Sequence, residues 1–249
     1  MQYASQQPFW KMNAFLQKNW NLSKIPWNQT SVKNFCVDSR NVKEGDVFIA
    51  LKGERSDGHL FLEEVFSKGA IGAVVEKGRS PESFKDKCIE LKDPLKSLQL
   101  LAKRALEEMQ PIVIGIGGSL GKTSTKQILY GIVSKFIQTS CSFKSYNGQI
   151  GLPLSVLNQN YTCDAFILEM GMNEKGELEK LVDLAPPDLV GMTCIEHVHM
   201  QSFESLEELI YEKSKLLSHS KTDCSLIPLD SKGYSILDEQ ALSSKMTFS

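Results

Sequence analysis

No stretch of this 249-residue chain approaches the ~18 consecutive apolar residues of a membrane-spanning helix. The opening MQYASQQPFWK has no apolar core of the kind that marks a secretory signal. Basic charge is in slight deficit, 28 Lys and Arg against 30 Asp and Glu, for a formal net charge of −2 and a pI of about 6.1. No basic surface therefore points to nucleic acid. The six cysteines (36, 88, 141, 163, 194 and 224) form no C-x-x-C, and the four histidines (59, 197, 199 and 219) form no H-x-x-x-H. That scatter predicts reduced thiols and argues against a disulfide frame or a zinc site. Repeats and low-complexity tracts are missing as well. What remains is the profile of an ordinary soluble globular protein, 41% hydrophobic and 23% charged, long enough for one large domain or two modest ones. These exclusions predict a cytoplasmic protein without a membrane span or a nucleic-acid partner; small-molecule substrates and a monomeric state are the accompanying expectations.

The most informative stretch is Pro111 to Lys126, PIVIGIGGSLGKTSTK. A β-branched run, Ile112 to Ile116, empties into a glycine-rich turn, and Lys122 and Thr123 follow at once. Strand, glycine loop and helix in that order suit a nucleoside triphosphate, because glycines let successive N–H groups converge on one anion. Gly118, Ser119, Gly121, Lys122, Thr123 and Ser124 are thus candidates for phosphate binding. Lys122 would reach the β- and γ-phosphates, and the Thr123 hydroxyl would sit on Mg²⁺. The pattern is the short G-x-x-G-K-[ST], since Ile116 stands at the first position of the longer G-x-x-x-x-G-K-[ST]. An ordinary strand-to-helix turn is the competing reading, but it requires neither three glycines nor an inward lysine.

Around this stretch the chain predicts an α/β protein. Residues 1–30, with Trp10, Trp20 and Trp27, read as a helix and a lead-in. Strands are predicted at 47–51, 70–75 and 88–91, with a helix over 60–68. Asp93-Pro94 then opens a helix, Asp as N-cap and Pro in the first turn. From 112 onward strands and helices alternate, which predicts a mostly parallel sheet with crossover helices. The predicted elements are strands 112–116, 164–169, 188–194 and one starting at 225, and helices 122–137, 174–184 and 204–218. The domain boundary is placed within 92–110, giving domains 1–92 and 93–249.

In such a sheet, ligands gather beyond the carboxyl ends of the strands. Lys122 with Thr123, Glu169 and His199 all fall at strand ends, which predicts a metal–phosphate site. Taken singly, Glu169 or His199 could equally be a charge that merely meets solvent. Lys213 interrupts an apolar stripe of Leu206, Leu209, Ile210, Leu216 and Leu217. It either snorkels to water or is buried with a depressed pKa, and a neutral amine of that kind can take up CO₂ as a carbamate.

From residue 38 to about 217 the chain resembles the Mur ligases, most closely the branch that adds D-alanyl-D-alanine. The resemblance is carried by Asp38-Ser39-Arg40, by Gly45 to Arg55, by Asp57-Gly58-His59 and by Gly118 to Ser124. It continues through Ile150 to Leu154, Glu169-Met170-Gly171 with Asn173, His199, Phe203 and Lys213. The resemblance implies a small N-terminal α/β domain that holds a UDP-sugar through Ser39, Arg40, Lys52, Arg55, Asp57 and His59. A central phosphate-loop domain would follow, with Asn147 against substrate. It implies ATP and Mg²⁺ as cofactors and UDP-N-acetylmuramoyl-tripeptide and D-alanyl-D-alanine as substrates. Lys122, His199 and Lys213 would be catalytic. Thr123 and Glu169 would hold one Mg²⁺, and His199 with carbamylated Lys213 a second. The implied reaction forms an acyl phosphate that the incoming amine converts to an amide, for peptidoglycan precursor synthesis.

The sequence departs from that pattern at Leu120, Ser145, Gly148 and Cys194-Ile195-Glu196-His197. The central domain is expected to be incomplete at its C-terminal end, and the family's third domain to be absent. The alternatives are a remnant or fragment that binds nucleotide or UDP-sugar without turnover, and an unrelated phosphate-loop kinase or ATPase.

Overall fold

The computed structural model describes residues 9–20, 26–27, 32–54, 56–159, 162–196 and 202–249, with backbone alone for 9–13. It divides into two compact units. One comprises the chain to Ala105 with Leu157–Asn160, and the other comprises Leu106–Val156 with Tyr161–Ser249. The division falls between Ala105 and Leu106, within the 92–110 stretch in which the sequence places the boundary and later than the domain ends at 92 and 93. Among the described residues no helix is long and apolar enough to cross a membrane, and all six cysteines are free.

The first unit holds helix α1 (Phe9–Asn19), strands β1 (Phe35–Cys36), β2 (Val47–Ile49), β3 (Gly72–Glu76) and β4 (Cys88–Leu91), and helix α2 (Leu62–Ser67). The four strands are parallel, in the order β1-β2-β3-β4. Phe48, Ala50, Leu62, Val65, Ala73 and Val75 close one core face. Helix α2 is shorter than the predicted 60–68 because Asp57 caps a 3₁₀ turn, Gly58–Phe61, that runs into it. Helix α3 (Pro94–Met109) begins as its sequence dictates. The Asp93 carboxylate accepts from the Lys96 N–H at 2.9 Å, and Leu98, Leu101, Ala102 and Ala105 are buried.

The second unit is a six-stranded parallel sheet built from β5 (Ile112–Gly117), β6 (Thr139–Cys141), β7 (Ala165–Glu169), β8 (Leu189–Met192), β9 (Cys224–Pro228) and β10 (Ser244–Phe248). The order across it is β10-β9-β8-β5-β7-β6. Its helices are α4 (Lys122–Val133), α5 (Gly151–Leu157), α6 (Glu177–Leu184), α7 (Leu206–Ser214) and α8 (Tyr234–Gln240). Helix α4 ends four residues short of its predicted limit of 137, and α7 gives way to a 3₁₀ turn, Lys215–Leu217. Ser205 caps α7 by accepting from the Glu208 N–H at 3.1 Å.

β5 is first in the chain and central in the sheet. The connection out of β5 passes over β7 to β6, and the connection out of β7 crosses back to β8 on the other side. The connections therefore diverge beyond the carboxyl ends of β5 and β7, where open parallel sheets bind their ligands.

Candidate active site

The register of the sheet sets the site. Ile116 of β5 lies opposite Glu169, the last residue of β7, and Gly117 lies opposite Met192, the last residue of β8. The glycine loop therefore leaves β5 flanked by both strand ends. The segment after β8 then fixes it from one side. Thr193 donates its N–H and hydroxyl to the Gly117 carbonyl at 2.9 and 3.0 Å. Ser119 N–H donates to the Cys194 carbonyl at 2.7 Å. The Ser119 hydroxyl donates to the Glu196 carbonyl and accepts from its N–H. Gly118 has φ +122°, in the left-handed region, and a Cβ there would fall on the Thr193 hydroxyl. Gly121, at φ +81°, opens α4 and has nothing within 4 Å of the same position. One glycine thus permits close approach and the other the turn into the helix.

Three lysines surround the loop. Lys122 folds back so that its ammonium donates to the carbonyls of Gly118 at 3.0 Å and Ser119 at 2.8 Å. Burial pushes its pKa down, and Glu169 partly offsets the effect. Lys213 is only 4% exposed, with its ammonium 3.3 Å from the Gly118 carbonyl. It does not snorkel. Burial, and then the charge of Lys122, lower its pKa to about 8. Lys126, which the sequence reading passed over, is fully buried on α4.

Against these cations stands one buried carboxylate. Glu169 is 2% exposed, and three donors from two segments satisfy it. The Thr123 hydroxyl donates to Oε2 at 2.8 Å, the Lys126 ammonium lies 3.3 Å from the same oxygen, and the Asn147 amide donates to Oε1 at 2.9 Å. The excess of positive charge suits a polyphosphate. Thr123 and Glu169 fit one hard divalent cation, since a hydroxyl and a carboxylate oxygen already sit side by side. A second cation site is not assembled among the described residues. No group there has three or more His, Cys, Asp or Glu side chains, and Lys213 presents an amine. His199, expected at this edge, lies outside the described residues, as does Arg55.

A cleft of about 430 Å³ opens beside the loop, lined by Lys122, Asn147 to Gly151, Gly171 to Asn173, Glu177 and Lys213. Thus Lys122, Thr123, Asn147, Glu169 and Lys213 come together, and Gly118, Ser119 and Gly121 shape the loop. Ser124 is exposed on α4.

In the first unit, His59 is buried with both ring nitrogens engaged. Nδ1 lies 2.7 Å from the Asp57 carboxylate, and Nε2 accepts from the Glu76 N–H at 3.0 Å. The bond to His59, with help from Arg79 at 2.8 Å, holds the Asp57 carboxyl well below the usual carboxylate range. These two expected sugar ligands therefore brace their own loop. Ser39 is buried, with its carbonyl accepting from Lys68, and Lys52 is exposed. Arg40 is exposed, and its guanidinium and backbone N–H donate three hydrogen bonds to the Asp38 carboxylate.

The position of Lys213 has a measurable consequence. Its folded pKa is depressed, so the folded state holds fewer protons than the unfolded chain between about pH 8 and the ordinary lysine value of 10.5. Stability should therefore rise with pH through that window. The stability gap between Lys213→Met and the native chain should narrow by roughly 3 kcal/mol from pH 8 to 10.5. Urea titrations at several pH values test this, and parallel pH profiles would return Lys213 to an ordinary pKa.

Comparison with known proteins bears on the same residues. Residues 31–105 match the model of the Mur ligase family, catalytic domain, and residues 116–249 that of the Mur ligase middle domain. The UDP-N-acetylmuramoyl-tripeptide–D-alanyl-D-alanine ligase of Bacillus subtilis (strain 168) is 35% identical over 206 residues, covering 83% of this chain and 45% of that ligase. A crystal structure of MurF from Acinetobacter baumannii superposes with a TM-score of 0.82 at 26% identity, covering 95% of this chain and 53% of that one. MurF ligase from Thermotoga maritima in complex with ADP gives 0.73 at 28% identity, covering 87% and 50%. The chain spans about half the length of the curated relatives it matches.

Proposed function

Because this chain belongs to the Mur ligase family, we propose that it supplies the UDP-sugar and nucleotide sites of an ATP-dependent amide ligase joining D-alanyl-D-alanine to UDP-N-acetylmuramoyl-tripeptide. The observation that carries this reading is the meeting of Thr123 with Glu169 beside a glycine loop bearing Lys122 and Lys213. The loop N–H groups and Lys122 bind and orient the triphosphate and stabilise charge on the transferring phosphoryl group. Thr123 and Glu169 would hold a divalent cation, whose charge would support in-line transfer. Asn147, fixed by Glu169, faces the cleft in which the tripeptide carboxylate is activated as an acyl phosphate. The D-alanyl-D-alanine amine then displaces phosphate and leaves the amide. Lys213, desolvated and near neutral at mildly alkaline pH, is placed to take up CO₂ as a carbamate, with His199 as its proposed companion on a second cation. In the first unit Ser39, Arg40, Lys52 and Arg55 are proposed for the UDP-sugar, with Asp57 and His59 shaping their loop. The work belongs to peptidoglycan precursor synthesis in the cytoplasm.

The test is phosphate release from ATP by this chain. Release that requires both UDP-N-acetylmuramoyl-tripeptide and D-alanyl-D-alanine is the expected result. Release indifferent to either substrate overturns the ligase assignment, and nucleotide binding without any release assigns the chain to binding alone.

A further inference from the structure

Lys126 lies one helical turn beyond Lys122 on α4, and none of its side chain reaches solvent. Its ammonium donates to the Lys144 carbonyl and pairs with Oε2 of Glu169 at 3.3 Å. Burying an ammonium is costly unless it is paired, and an apolar side chain of similar volume would fill the same space more cheaply. The charge therefore has work to do beyond holding the helix. Oε2 is the oxygen that also accepts the Thr123 hydroxyl, while Oε1 is held by Asn147. A carboxylate with one donor could swing about its last bond. With three donors from α4 and the 142–150 segment, it has one orientation.

We propose that Lys126 is a positioning residue for the divalent cation. It holds Glu169 Oε2 beside Thr123 Oγ1 and, through the Lys144 carbonyl, anchors the segment that carries Asn147. The inference rests on the nucleotide–cation reading above. Lys126 reaches the phosphates through no contact of its own and acts by way of Glu169, as the outer partner of a metal ligand does.

The experiment is calorimetric titration of the full 249-residue chain with ADP, in EDTA and again in saturating Mg²⁺. The native chain gains affinity on adding Mg²⁺. In Lys126→Met the metal-free affinity stays within about twofold of native, while the Mg²⁺-dependent gain falls by roughly ten- to a hundredfold. Equal losses in both conditions would make Lys126 a purely structural residue, and an undiminished gain in the folded variant would overturn the proposal as well. If Lys126→Met does not fold, Lys126→Gln carries the same comparison, because it keeps a donor for Lys144 and removes the charge. Failure of the native chain to gain affinity with Mg²⁺ would instead sink the cation site on which the proposal rests.

Discussion

Replacing Lys122 with alanine should weaken ADP binding by roughly a hundred- to a thousandfold, the order expected when one donor is removed from a preorganised anion site. In the structure its ammonium is half-buried and, among the described residues, has only the neutral carbonyls of Gly118 and Ser119 as hydrogen-bond partners. Burial disfavours its charge, so a phosphate would relieve an existing cost as well as add an attraction. The fold should survive, because Lys122→Ala removes a desolvated charge and leaves the Ser119, Thr193 and Glu196 bonds intact. Calorimetry for affinity and circular dichroism for unfolding separate the two effects. Native affinity in a folded Lys122→Ala chain would end the assignment of this loop to phosphate.

The second large effect is expected at Gly118. An alanine there must hold φ +122° and place its Cβ against the Thr193 hydroxyl, with the Cys194 carbonyl 3.0 Å away. One of those obstacles is backbone, so relief means moving the loop. Left-handed strain and overpacking together should cost about 2–4 kcal/mol, along with most of the ADP affinity. Gly121 is the internal control. It also has positive φ, yet its Cβ would meet open space, so Gly121→Ala should cost only about 1–2 kcal/mol. Adding Thr193→Ala to Gly118→Ala should recover part of the loss. Equal costs at the two glycines, measured by urea unfolding, would mean that dihedral strain alone matters and close approach does not.

How much of this the sequence discloses depends on the kind of signal each element carries. β5, β7 and β8 are short apolar runs, and β5 and β7 end in glycine and in charge, so their existence and the phosphate loop between β5 and α4 are legible. β6 is only Thr139–Cys141, and its flanks carry no alternation to mark it. Helix α5 contains a glycine and a proline within seven residues, so propensity argues against it, and β10 is exposed along its whole length. Lys126 could not be read because α4 inverts the usual pattern. It buries a lysine and exposes Ile128 and Ile132, while Leu129 and Tyr130 pack against Ile116, Cys141 and Ile167. A lysine four residues after Lys122 reads as solvated until the sheet shows which carboxylate it meets. Lys213 was visible because it interrupts an apolar stripe, and its burial settles the choice between snorkelling and desolvation. For His59, the sequence offers the residue and the structure offers its partners, the neighbouring Asp57 and the Glu76 N–H of β3.

The central place of the earliest strand has a bearing on how this unit acquires its structure. β5 emerges first during synthesis, yet its two hydrogen-bonded neighbours, β7 and β8, emerge only after Ala165 and Leu189. Until then its native partners do not exist, and every pairing it finally makes closes a long loop. Such long-range parallel pairing is slow and prone to aggregation. Maturation of the nucleotide pocket is thus tied to late translation, because the anion loop cannot be clamped until Thr193 to Glu196 have been made.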